Sequence, residues 1–122
     1  MLDALPHLDR EELAPLLEGV RAFTTEPGAL RPEARVALMR EAARVSEGLA
    51  AAPVAVVDTL TDYTRKVAGH AYRIEDADAE ALRRAGVSED AIFEATLAAS
   101  LGVSLHRLEK GLALLGPEPG ER

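Results

Sequence analysis

Tyr63, Lys66 and His70 stand at i, i+3 and i+7, a spacing that puts a phenol, an ammonium and an imidazole on one side of a helix. Histidine changes charge near neutral pH, so such a trio has the parts of a proton-handling site. The same residues also admit a structural reading. Asp62 precedes Lys66 by four residues, the spacing of an exposed ion pair worth about 0.2–0.5 kcal/mol, and Tyr63 can be a core residue with its hydroxyl at the edge. Both readings stay open at the level of the sequence.

Other chemistries are narrower. The chain has no cysteine, which excludes disulfides, thiolate metal sites and thiol catalysis. His7, His70 and His106 fall on separate segments, and no pair has the four-residue spacing that places two imidazoles on one helix face, so no metal site is expected. There is no phosphate loop, dinucleotide fingerprint or nucleophile elbow, so no cofactor is expected.

The elements that must hold Tyr63, Lys66 and His70 are marked by their punctuation. A chain of 122 residues is one domain's worth. Residues are 48% hydrophobic but only 3% aromatic, so the apolar mass is Ala, Leu and Val. Alanine and leucine favour helix, and small side chains let helices approach closely.

Asp9 and Glu12 form a capping-box pattern flanked by Leu8 and Leu13, which opens a first helix that ends at Thr24–Gly28. Pro32 suits the first turn of a second, whose stripe is Leu38, Ala42, Val45 and Leu49. Pro53 closes that helix and opens a third, predicted to run to about Ile74. A fourth starts at the acidic Glu75–Asp78 and stops at Gly86, with Val87 placed for a Schellman contact to Leu82.

Ser88 caps a fifth helix, along which Phe93, Leu97, Leu101, Leu105, Leu108, Leu112 and Leu115 trace the longest apolar stripe in the chain. Gly102 and Gly111 weaken that helix by about 1 kcal/mol each but permit close crossing. The expected architecture is all-α, a single helical bundle over residues 1–116 with a flexible tail at 117–122.

Net charge is −7, which disfavours nucleic acid and anionic membrane surfaces as partners. No apolar run approaches the roughly 20 residues of a membrane span, and the N-terminal residues lack signal-peptide character. A cytoplasmic protein is the expectation.

The stretch from Val67 to Leu115, VAGHAYRIEDADAEALRRAGVSEDAIFEATLAASLGVSLHRLEKGLALL, resembles the carboxymuconolactone decarboxylase and AhpD-like alkylhydroperoxidase superfamily. The resemblance rests on a helix ending in His70, then "ALRRAGVSEDAIFEA", then a long Ala-rich helix, and covers about residues 54–115. It implies an AhpD-like bundle of about five to six helices that assembles as a homotrimer or hexamer through its long helices.

In the peroxidases of that superfamily the motif is Cys-x-x-Cys-x-x-x-His. Here His70 is kept, while Tyr63 and Lys66 occupy the two cysteine positions. Neither side chain can attack a peroxide or resolve a sulfenic acid. The relay glutamate has no counterpart near Leu49–Ala52, where Glu47 is the nearest acid.

The resemblance therefore implies an oligomeric small-molecule-binding or assembly module without peroxidase activity. The alternative is a non-redox enzyme, related to lactone decarboxylases, with His70 as general acid or base and Lys66 or Tyr63 orienting a carboxylate or an enolate. The partners implied are further copies of the chain and a small acidic molecule, for which Arg65, Lys66 or Arg73 would supply the cation.

Overall fold

The computed structural model describes residues 10–56 and 58–115, and the side chains of all of these except Arg10, Glu12 and Leu13. Five α-helices account for most of them: α1 (Arg10–Thr25), α2 (Pro32–Ser46), α3 (Asp58–His70), α4 (Asp76–Arg84) and α5 (Glu89–Leu115). A 3-10 turn, Ala71–Arg73, follows α3. Among the described residues there is no strand, as the Ala- and Leu-rich composition predicts. The Asp9 capping box, its Leu8 and Leu13 staple and the 117–122 tail lie outside the described residues.

The core forms where α2 and α5 cross, the most extensive contact in the molecule. Leu38, Met39 and Ala42 of α2 meet Ile92, Ala95, Ala98, Ala99 and Leu105 of α5, all buried. Gly102 makes this approach possible. A Cβ placed on it would lie 2.2 Å from the Met39 carbonyl oxygen, too close to be relieved by any side-chain rotation. Leu60 of α3 and Leu82 of α4 close the core from one side. Val20 and Phe23 of α1 pack on it from another.

The buried face of α5 is thus its alanine and glycine face, and the leucine stripe lies largely to one side of it. Phe93 is 65% exposed and Leu115 63%, with only Leu105 of that stripe fully buried. The spacing marks an apolar stripe, but packing distance decides which face α2 meets: backbones this close leave no room for leucines between them.

The segment between α2 and α3 also differs from the sequence expectation. The sequence predicts a second helix reaching Pro53 and a third starting there, yet α2 stops at Ser46 and α3 begins at Asp58. Gly48, at φ +79°, takes the left-handed conformation that glycine adopts without strain. Its N–H donates to the Val45 carbonyl at 2.9 Å and that of Leu49 to the Arg44 carbonyl at 3.1 Å, a Schellman motif. Side chains then hold the crossing segment: Arg65 donates to the Ala52 carbonyl at 2.8 Å and Arg44 to that of Ala50 at 3.1 Å.

At its other end α3 stops at His70, where φ −145° and ψ 49° leave the helix, short of the predicted Ile74. The α4–α5 junction forms as its residues indicate. Gly86, at φ +87°, completes a second Schellman motif in which the Val87 N–H donates to the Leu82 carbonyl at 3.0 Å. Ser88 Oγ accepts from the Ala91 N–H at 3.1 Å, capping α5.

Two ion pairs with little solvent access tie the outer elements to the crossing. Arg35, 4% exposed, reaches the carbonyls of Phe23 and Glu26 at the end of α1, stacks over the Phe23 ring at 5.1 Å and faces Glu94 of α5 at 3.5 Å. Glu94 also accepts from the N–H groups of Ala29 at 2.8 Å and Leu30 at 3.0 Å, fixing the α1–α2 loop. On the other side Glu41 of α2, 2% exposed, lies 3.7 Å from Arg65 of α3.

The two helical glycines of α5 should respond in opposite directions to the same change. Gly102→Ala should destabilise the fold by about 1–3 kcal/mol, because the new methyl group meets backbone. At Gly111 nothing lies within 4 Å of a new Cβ, so Gly111→Ala should stabilise by up to about 1 kcal/mol through helix propensity alone. Urea unfolding of the two variants measures both. Equal effects would contradict the close crossing.

Candidate functional site

Helix α3 carries all three residues singled out by spacing, but the fold treats them differently. Tyr63 and Lys66 line a cavity of about 250 Å³ between α3 and α4, together with Thr59, Asp78 and Leu82. His70 does not line it. It is exposed at the end of α3, edge-on to Tyr72 with ring centroids 6.0 Å apart. The early end of the helix is the physical reason, since the turn into Ala71–Arg73 carries the imidazole away from the shared face.

Within that cavity both polar groups are engaged. Lys66 Nζ lies 2.8 Å and 2.9 Å from the two carboxylate oxygens of Asp78 in α4, in place of the Asp62 pairing suggested by the four-residue spacing. Asp62 pairs with Arg65 instead, at 3.2 Å. Asp78 also accepts from the Glu75 N–H at 2.8 Å and so caps the start of α4. The Lys66 ammonium beside it, then that backbone N–H, hold its carboxyl below the usual carboxylate range.

Tyr63 Oη lies 2.8 Å from Thr96 Oγ1. The Thr96 hydroxyl donates its own hydrogen to the Ile92 carbonyl at 2.8 Å, so the phenol must be the donor. Tyr63 and Lys66 therefore clasp α3 to α5 and to α4. The other two candidate cations are also occupied. Arg65 serves Glu41, Asp62 and Ala52, and Arg73 lies over the Tyr72 ring at 5.4 Å.

A second cavity, of about 320 Å³, opens between α1, α2 and α5. Its walls are mostly apolar: Val20 from α1, Val36, Met39 and Ala43 from α2, and Leu105 from α5. Gly102 forms part of the wall, so the helix crossing that makes the core also shapes this space. Arg40, His106 and Glu109 supply polar groups. An apolar body with a few polar groups is the usual form of a small-molecule site.

Next to it, the Glu47 carboxylate just beyond α2 has His106 Nε2 and Lys110 Nζ each 2.7 Å away. Lys110 first, and His106 second, hold the Glu47 carboxyl below its ordinary range. The contact sits beside the cavity that His106 lines. Spacing did contain a signal for this site. Val36, Arg40 and Ala43 on α2, and Gly102, His106 and Glu109 on α5, are two further i, i+4, i+7 series. What the spacing does not show is that the two series face each other.

Among the described residues no group of three His, Asp or Glu side chains is arranged to hold a metal, and His7 lies outside them. No helix there is long and apolar enough to cross a membrane.

The Lys66–Asp78 contact has a pH signature. A carboxyl whose folded pKa is depressed stabilises the fold above its unfolded pKa, about 3.9, and loses that contribution as pH falls through the folded value. Asp78→Asn should therefore be less stable than the parent at pH 7, and the gap should close below about pH 4. Thermal unfolding from pH 2 to 7 measures it, and a gap independent of pH would show that the charge contributes nothing. Compared with protein-family models, curated proteins and solved structures, the chain finds no match.

Proposed function

We propose that this chain is a small-molecule-binding module of the carboxymuconolactone decarboxylase and AhpD-like superfamily from which the thiol chemistry has been lost. The observation that carries the binding role is the apolar cavity between α1, α2 and α5. Superfamily membership is supported by the order of elements: a helix ending at His70, the short α4, the Gly86–Ile92 junction and the long α5. The absence of cysteine supports the loss of peroxidase activity, since no other side chain present forms and resolves a sulfenic acid.

Self-association belongs to the same reading. Its support is the apolar surface left on α5, where Phe93, Leu114 and Leu115 are 65%, 89% and 63% exposed. The alanine-rich face of α5 is used inside the protomer. Assembly would therefore draw on the leucine side of α5.

The alternative of a non-redox enzyme centred on His70 draws support only from the cavity shared by Tyr63 and Lys66. His70 lies apart from it, and both cavity residues already have partners. The binding role is accordingly the stronger reading.

Three measurements test it. A hydroperoxide assay with a dithiol reductant should show no turnover above the protein-free rate. Indole, a neutral apolar probe, should bind to the parent protein and not to Ala43→Phe, which fills the cavity while circular dichroism confirms an intact fold. Sedimentation should show a multiple of the 13.0 kDa chain. Peroxide turnover would refute the loss of thiol-type activity, indole binding that ignores Ala43→Phe would refute the cavity, and a single 13.0 kDa species would refute assembly.

A further inference from the structure

The cavity between α1, α2 and α5 is lined by two opposite charges that have no partner among the described residues. Arg40 of α2 and Glu109 of α5 both line it. Neither makes an ion pair or hydrogen bond among the described residues, and the two are not within the 4.0 Å that would pair them with each other. Several charges on the neighbouring segments are engaged. Lys110 and His106 close on Glu47, Arg44 donates to the Ala50 carbonyl, Arg35 faces the partly buried Glu94 and Arg65 the buried Glu41.

We infer that this cavity binds a small apolar zwitterion, the class that includes amino acids with aliphatic, thioether or aromatic side chains. The apolar group lies among Val20, Val36, Met39 and Leu105. The carboxylate meets the Arg40 guanidinium, whose planar fork matches two oxygens, and the ammonium meets Glu109. A simple anion in the same place would satisfy Arg40 but face the Glu109 carboxylate uncompensated. A simple cation would have the reverse problem. Only a ligand carrying both charges answers both side chains; Arg40 is exposed and Glu109 half-buried, so water screens both contacts in part.

The inference rests on the binding role proposed above, so its test must separate the two. Calorimetric titration of the full chain with L-leucine, L-methionine and L-phenylalanine would be compared with N-acetyl-L-leucine, which keeps only the negative charge, and L-leucine amide, which keeps only the positive one. At least one amino acid should bind, and the one-charge analogues at least tenfold more weakly. Arg40→Gln should weaken the amino acid by tenfold or more and leave the amide unchanged. Glu109→Gln should weaken the amino acid likewise and leave the N-acetyl compound unchanged.

Binding of the amino acid no tighter than that of both analogues, or unaffected by both substitutions, would overturn the inference. So would failure of every amino acid to bind. If indole still enters the parent protein and is blocked by Ala43→Phe, that failure falls on the zwitterion alone. If indole fails as well, it falls on the binding role itself.

Discussion

The contact between the Gly102 backbone and the Met39 carbonyl sets the spacing of α2 and α5, and most of the structure follows from that spacing. With no side chain at Gly102 and alanines at 95, 98 and 99, the two helices bury one another with few large groups between them. Alanine burial contributes little per residue compared with leucine or phenylalanine. The shortage is made up by dispersion between closely packed backbones and by the number of small contacts. Gly102 also lines the apolar cavity between α1, α2 and α5.

A core of this type gives the outer elements little to grip, and buried charge takes over that role. Arg35 draws the end of α1 and the loop before α2 toward Glu94, while Arg65 and Glu41 hold α3 and the crossing segment. Buried ion pairs bring a desolvation cost that often cancels their attraction, so their value here is in position more than in net stability. They specify where chain segments without regular structure must run. Apolar contacts, being non-directional, could not do that as sharply.

This division also explains the fate of the candidate residues. Lys66, Tyr63, Arg65 and Arg73 all have partners that belong to the architecture. Arg40 and Glu109, which have no partner among the described residues, lie on other helices around a different space. In a chain where charge is used so widely for fastening, a charged group left free beside an apolar cavity is the more informative feature.

The sequence by itself determined the helices that carry strong local signals. Pro32, Ser88 and Gly86 act through bonds within a few residues, so α2 begins, α5 begins and α4 ends where their chemistry requires. It also determined that no thiol chemistry is available, because composition alone decides that. The tertiary structure decided three other things. It chose the alanine face of α5 over its leucine stripe, because close packing selects small residues. It ended α2 at Ser46, where side chains from α2 and α3 support the segment that follows. And it put Arg40 and Glu109, residues 69 positions apart, on the wall of one cavity while leaving His70 outside the one that Tyr63 and Lys66 line. Periodicity reports which residues share a helix face; which faces meet depends on distances between helices, and local sequence does not encode those.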